Sequence, residues 1–179
     1  MFVFVSGNVA LDLAGTLKWR RTEPEETLAT PDDLDAWLVA AGLLDTPPGA
    51  DAFDLATARQ LREAAYALLT AGGPPPRDAL AIANQCASSP PVTLTLTPGG
   101  LHRTGPAGAA LSDVARALLT LLSEDTAVLK ECAKPACTRL YLDRSRGARR
   151  TWCGMRECGS QAKMAAYRAR RRGSPPAGE

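Results

Sequence analysis

The sequence has 179 residues, of which 45% are apolar and 22% charged, with a formal net charge of +2. These values are ordinary for a soluble globular protein of one domain plus a small appendage. No apolar run reaches membrane length and the start lacks the features of a secretory signal, which excludes membrane-spanning and secreted classes and predicts a cytoplasmic protein.

Two helices are predicted in the first quarter of the chain. Apolar residues at helical spacing indicate a helix from Asn8 to Trp19, followed by a polar, acidic loop from Arg20 to Ala29. Thr30 as N-cap and Pro31 at the first helical position then begin a second helix, which ends at Gly42.

The middle of the chain alternates between helical and strand patterns. An apolar stripe predicts a helix from Asp51 to Ala71, and a shorter one follows from Arg77 to Ala87. Period-two alternation from Val92 to Thr97 indicates a strand, and Leu101 to Thr104 returns as a small hairpin. The last helix of this body runs from about Ala109 to Ser123.

Three side chains of the body stand out by type but carry no predicted chemistry. Phe53 is assigned to the apolar stripe, Cys86 is interpreted as a small buried apolar residue, and His102 as a surface histidine. Because no nucleophile with a matching base and no phosphate-binding glycine loop accompany them, the sequence offers no case for an enzyme.

The other four cysteines form two pairs with the same internal spacing. Cys132 and Cys137 are separated by four residues, as are Cys153 and Cys158, with fifteen residues between the pairs. Two such turns predict one tetrahedral zinc site with four thiolates, which is structural because no coordination position stays open. The alternatives are two disulfides, an iron–sulfur cluster or four unrelated thiols.

Basic residues surround this constellation. From Lys130 to Arg172 there are 13 Lys/Arg and three Asp/Glu, whereas the rest of the chain has eight and 16. A cationic module on an anionic body indicates that one end binds a polyanion, although a merely solvated basic tail would give the same count.

Within the module, a strand from Thr138 to Asp143 leads into a basic turn, and Ser160 is predicted to cap a helix through about Arg172. The arginines of the turn and the cations of the helix are suited to gripping phosphates or a guanine edge. The predicted DNA contacts are Arg144, Arg146, Arg149, Arg150, Lys163, Arg168, Arg170 and Arg171.

The segment from Cys132 to Lys163 resembles the CGNR zinc-finger family, which implies a bacterial protein. The shared features are the two cysteine pairs, the run Leu-Tyr-Leu-Asp-Arg-Ser ending at Ser145, Arg149-Arg150 before Trp152-Cys153, and the Ala/Arg-rich helix. Two features depart from the family pattern: Cys-Gly-Asn-Arg is here Cys158-Gly159-Ser160-Gln161, and Gly15 replaces an Asn in the opening motif.

In that family the finger follows a helical ABATE domain, described as a stress-induced transcription regulator. The opening Leu11-Asp12-Leu13-Ala14-Gly15-Thr16 resembles that domain's Leu-Asp-Phe-Val-Asn-Thr, and residues 37–43 resemble its Trp-Leu-x-x-x-Gly-Leu. The resemblance implies a zinc-dependent DNA-binding transcription regulator that responds to stress or to a ligand.

We therefore predict a mainly α (α+β) fold with three segments. Residues 1–125 form a helical domain with a small β-hairpin, for dimerisation or ligand sensing. Residues 126–172 form a zinc-ribbon-like finger followed by a basic helix, and residues 173–179 a disordered tail. The expected partners are one structural zinc ion, duplex DNA, a small-molecule effector and a second copy of the chain. A zinc-stapled RNA- or ribosome-associated binder is the alternative, and few exposed aromatic residues favour DNA.

Overall fold

The computed structural model describes residues 2–124 and 129–160, together with Met164 and Arg168. Its α-helices are α1 (Val9–Ala14), α2 (Pro31–Ala40), α3 (Ala52–Thr70), α4 (Arg77–Ser88) and α5 (Ala107–Ser123). Three antiparallel two-stranded sheets accompany them: β1 (Leu17–Lys18) with β2 (Glu25–Glu26), β3 (Thr93–Thr97) with β4 (Gly100–Thr104), and β5 (Leu129–Glu131) with β6 (Leu140–Leu142). The predicted α+β fold is confirmed, while the predicted tail lies outside the described residues.

The starts of α2 and α3 follow from their capping residues. The Thr30 hydroxyl accepts a hydrogen bond from the Asp33 amide, and the Asp33 carboxylate in turn accepts one from the Thr30 amide. Asp51 and Asp54 form the same reciprocal box at the start of α3. Each of these capping boxes supplies hydrogen-bond acceptors to backbone amides that have no partner within the helix. The helices α2 and α3 therefore begin at these residues.

The predicted extent of the first helix is wrong, because α1 ends at Ala14 rather than continuing to Trp19. The Gly15 amide donates to the Leu11 carbonyl, and the Thr16 hydroxyl donates to the Leu13 carbonyl at 2.7 Å. The chain then leaves the helix, and Leu17–Lys18, which were predicted to be helical, pair with Glu25–Glu26 from the segment predicted as a loop.

The main core lies among all five helices, α1 to α5, with the fully buried Trp37 and many leucine and alanine side chains. Phe53 is not part of it, contrary to the prediction, since the residue is 77% exposed. It shares the outer face of α3 with Ala56 and Gln60, three and seven residues further on. Cys86, which was predicted to be buried, is only half-buried. His102 is exposed, as predicted.

A buried arginine ties α3 to β2. The Arg62 side chain is 4% exposed, and its two terminal nitrogens donate to the Glu26 carboxylate at 2.6 and 2.8 Å. Its Nε also donates to Glu63 at 2.8 Å. Burial raises the pKa of Glu26, but the hydrogen bonds and charge of Arg62 outweigh this and hold that pKa below its ordinary value.

We expect Glu26→Gln to lower the free energy of unfolding by about 1–3 kcal/mol, because it leaves part of the Arg62 charge uncompensated. Since the folded-state pKa is depressed, the stabilisation is complete above the unfolded value of about 4.3 and fades as pH falls through the folded value. Denaturant unfolding at several pH values should show that the difference in the free energy of unfolding between wild type and variant narrows below about pH 4.

The matched control is Glu25→Gln on the same strand, whose carboxylate pairs with Lys18 and is 54% exposed. It should cost much less, as exposed ion pairs do. Equal losses in the two variants, or a gap that widens on acidification, would contradict this role of Glu26.

In the part of the chain that the structure describes, no helix is long and apolar enough to cross a membrane.

Candidate metal centre and nucleic-acid interface

Two backbone turns bring the four C-terminal cysteines together. Cys132 follows β5 directly, and the Cys137 amide donates to the Lys134 carbonyl at 2.8 Å, which closes the first turn. In the second, the Gly159 amide donates to the Gly154 carbonyl at 2.9 Å across one π-helical turn, Met155–Gly159. The two turns meet where the Ala133 amide donates to the Thr151 carbonyl at 3.1 Å and the Cys153 amide donates to Cys132 Sγ at 3.5 Å.

The geometry of the sulfur atoms fits one zinc ion. All four Sγ atoms lie within 4.8 Å of one another, with Cys137 and Cys153 at 3.9 Å, and each residue is at most 6% exposed. A tetrahedron with zinc–sulfur bonds of about 2.3 Å has edges of about 3.8 Å. The cysteines predicted from spacing therefore form a site for one structural zinc ion, with every ligand position filled by a thiolate.

The pKa values of the neighbouring cysteine thiols indicate what a bound cation would contribute to this site. The hydrogen bond from Cys153 lowers the pKa of Cys137 to about 5, and the same bond raises the pKa of Cys153. Burial, followed by the negative charge on Cys137, raises the pKa of Cys158 to about 12. Neighbouring thiolates disfavour one another in a buried site, so a divalent cation would offset part of their combined negative charge.

Arg150 holds the second cysteine turn in place. Its guanidinium donates to the carbonyl oxygens of Trp152 and Cys153, and to that of Val5 at 3.0 Å. The same group lies 4.3 Å from the ring centroid of Tyr141, a fully buried residue that packs against the cysteines. The predicted DNA contact of Arg150 stays a prediction, and its guanidinium is already engaged with the finger.

The basic turn that follows β6 is organised by Asp143. This buried carboxylate accepts hydrogen bonds from Lys130 Nζ at 2.7 Å, the Arg150 amide at 2.8 Å and the Ser145 amide at 3.0 Å. Burial raises the pKa of Asp143, but the bonds from Lys130 and Ser145 prevail and keep it below its ordinary range. Lys130 also donates to the Ala148 carbonyl, so the loop is closed from inside.

The other arginines of this turn lie on the surface of the protein. Arg144, Arg146 and Arg149 are exposed, and the left-handed φ of +76° at Gly147 and +48° at Ala148 turns the chain back toward the metal centre. Beside them lies a hollow of about 400 Å³, lined by residues that include Arg149, Trp152 and Met155. We call residues 144–149 the basic loop.

The predicted C-terminal contacts are only partly described. Arg168 is helical and exposed, whereas Lys163, Arg170 and Arg171 lie outside the described residues, as does Gln161. The prediction that Ser160 caps the helix is wrong, because its φ of −66° and ψ of −40° are helical and the turn already begins at Met155. The position of Ser160 in the sequence, shortly after Cys158, does not reveal that the second cysteine turn, Met155–Gly159, is itself helical.

The finger packs against the helical body through an apolar contact and several polar ones. Leu140 and Leu142 of β6 bury themselves with Leu11 and Leu121 of the body. The Leu142 amide donates to the Ser6 carbonyl at 2.8 Å, and Arg21 pairs with Glu131 at 2.6 Å. These contacts hold the finger, and with it the metal centre, against the helical body.

The opening motif of the chain serves this contact. Asp12 accepts hydrogen bonds from the amides of Val5 and Ser6, which shape the segment against which β6 lies. Gly15 faces the finger: a Cβ atom there would lie 3.2 Å from Nε of Arg139, a buried residue. The absence of a side chain at Gly15 therefore leaves room for Arg139.

Sequence reasoning missed the inward network of Lys130, Tyr141, Asp143 and Arg150. The only available signal was a lone acid and a lone tyrosine within a run of basic residues, which does not indicate which cations turn inward.

Comparison with protein-family profiles gives two adjoining matches. Residues 7–125 match ABATE, described as "Putative stress-induced transcription regulator", and residues 129–171 match the CGNR zinc finger. No curated protein matches the chain at a significant level.

Proposed function

Since the chain belongs to the ABATE family and carries a C-terminal CGNR zinc finger, we propose that it is a non-enzymatic, zinc-dependent transcription regulator whose finger binds duplex DNA. A zinc ion held by four thiolates has no open position for a substrate, which supports a structural rather than catalytic metal. Residues 1–125 would form the regulatory body and residues 126–172 the DNA-binding module.

The observation that carries the DNA proposal is the basic loop. Its three arginines are exposed, while Asp143, Lys130 and Arg150 fix the backbone that presents them. A loop whose backbone is already fixed loses less conformational entropy on binding, and each guanidinium group that it presents can bind a phosphate through two parallel hydrogen bonds.

The charge distribution supports the same orientation. The segment from Lys130 to Arg172 has ten more basic than acidic residues, and the rest of the chain has eight more acidic than basic ones. A polyanion is attracted to the first and repelled by the second, so the finger rather than the body would face the phosphates.

Duplex DNA is favoured over single-stranded RNA by the state of the aromatic residues. Tyr141 is fully buried beside the cysteines, and Trp152 packs against the same cluster. Single-stranded RNA readout depends on aromatic rings that are free to stack on bases. Within the described part of the finger, neither ring is fully exposed for that purpose.

A small-molecule effector is the second partner in this proposal. A hollow of about 380 Å³ lies among α3, α4 and α5, lined by residues that include Phe53, Ile82, Cys86 and Leu111. Its size and partly apolar wall suit a small ligand, and the exposed Phe53 stands at its edge.

The test uses the purified full-length protein, first to recover bound nucleic acid with and without ribonuclease, and then to titrate duplex DNA at several salt concentrations. We expect ribonuclease-resistant binding whose affinity falls with salt, with a log–log slope of roughly −0.9 per phosphate contacted. Ribonuclease-sensitive material alone would indicate an RNA-binding protein, and no binding at low salt would overturn the proposal.

A further inference from the structure

The β3–β4 hairpin presents apolar side chains to solvent. Leu94, Leu96 and Leu101 are 62%, 81% and 42% exposed. Leu96 lies directly opposite Leu101, and Leu94 is two residues from Leu96, so all three share one face of the hairpin. A two-stranded sheet with such a face is marginally stable by itself in water.

One edge of this hairpin is covered. The Asp45 amide donates to the Arg103 carbonyl at 3.1 Å, and the Arg103 amide donates to the Asp45 carboxylate at 2.9 Å. The backbone groups of Arg103 therefore point away from β3, and the facing pair Leu94–Arg103 is a non-hydrogen-bonded pair.

The other edge is open. Because hydrogen-bonded and non-hydrogen-bonded pairs alternate, the amides and carbonyls of Leu94 and Leu96 point outward from β3. Among the described residues no strand pairs with that side. The strand Thr-Leu-Thr-Leu-Thr contains no charge and no proline, the devices that normally protect an edge from pairing.

We propose that this edge pairs with the same edge of a second copy of the chain. The strand reads the same in both directions about Thr95. An antiparallel pair with its two-fold axis at Thr95 places Leu94 opposite Leu96 of the second copy, and the reverse. The outward groups of these leucines then form four backbone hydrogen bonds, which is the pattern that antiparallel pairing requires.

The side chains fit the same register. Across the resulting four-stranded sheet, Leu101 and Leu96 continue into Leu94 of the second copy, so leucines lie beside leucines on one face. No like charges meet at the axis, since β3 is uncharged and Arg103 lies within 3.9 Å of Asp45. An identical copy therefore satisfies both the hydrogen bonds and the apolar contacts.

The assembly closes at two copies. Asp45 covers the far edge of the hairpin, while Pro91 before β3 and Pro98 after it limit the pairing to this strand. The interface is small, so we expect a dimer that dissociates at micromolar concentrations. The inference does not depend on the proposed DNA binding.

The first experiment measures the mass of the full-length protein by light scattering or sedimentation from about 1 to 100 μM, a range suited to a small interface. We expect a concentration-dependent dimer, and dissociation at least tenfold more favourable in Leu96→Lys. The control is Phe53→Lys, which places the same charge at another highly exposed apolar residue and should leave the dimer unchanged. A wild type that stays monomeric, or equal effects of the two variants, would overturn the proposal.

The second experiment tests the register. Thr95 of the two copies would form a non-hydrogen-bonded pair with Cα atoms about 4.5 Å apart, within the range for a disulfide. Mild oxidation of zinc-loaded Thr95→Cys should give a covalent dimer, and His102→Cys, exposed on β4, should not. If Leu96→Lys dissociated the dimer but Thr95→Cys did not cross-link it, the copies would pack through their leucine faces, and the proposed edge pairing would be overturned.

Discussion

Cys132→Ser should release the metal and unfold the finger, whereas Cys86→Ser should do neither. Cys132 is 5% exposed, and its sulfur lies within 4.8 Å of the sulfur atoms of the other three cysteines. A serine hydroxyl at this position would lack the thiolate charge that binds the metal. Structural zinc sites contribute about 10–16 kcal/mol of apparent binding free energy, which a module of this size needs in order to fold.

The measurement is the zinc content per chain after dialysis, together with the circular dichroism of the same samples. We expect about one zinc per wild-type chain and a loss of most of it in the variant. The helical signal should largely remain, because α1 to α5 lie within residues 9–123. Cys86 is half-buried beside α5 and far along the chain from the metal site, so its variant is the matched control. Full zinc retention in Cys132→Ser would refute the ligand set.

Replacing Arg144, Arg146 and Arg149 together by Gln should weaken DNA binding by about 10²–10³-fold near 0.1 M salt. Each arginine that no longer neutralises a phosphate lowers the magnitude of the log–log salt slope by about 0.9, so the slope should flatten by about 2.7. The three side chains are exposed and the loop is held by Asp143 and Lys130, so folding should be unaffected. Affinity over a salt series, with melting temperature on the same preparations, measures both effects.

Two single variants make this test specific to the loop. Arg77→Gln removes the same charge from an exposed position at the start of α4 in the body and should leave affinity and slope unchanged. Arg150→Gln should instead lower the melting temperature and zinc retention, because three backbone carbonyls lose their donor. If the triple variant bound as tightly as wild type, the basic loop would not be the phosphate-binding surface.

The local chemistry of this protein was readable from its residues. Thr30 and Asp51 begin helices because their side chains pair with amides only two or three residues away. The cysteine spacing predicts the metal site for the same reason, since each pair belongs to one short turn whose backbone can point two sulfurs inward. The alternation of Thr and Leu likewise predicts β3, because side chains along a strand alternate between faces.

The orientation of side chains and the ends of elements depended on residues far away in the chain. Arg149 and Arg150 are neighbours of the same type, yet Arg150 turns inward because Val5, Tyr141 and Cys153 meet there in the folded chain. The first helix stops at Ala14, where the buried Arg139 of the finger packs against Gly15.

Burial, too, was decided by neighbours that the sequence does not place. Phe53 stays exposed because the outer face of α3 receives no covering element there, although its apolar character predicted a core position. Leu94 and Leu96 are strand residues by pattern, but the hydrogen bonds of Asp45 to Arg103 of β4 determine which edge of the hairpin is left open. Pattern fixes the state of a segment through local contacts, whereas exposure and partner choice follow from contacts between segments distant in sequence.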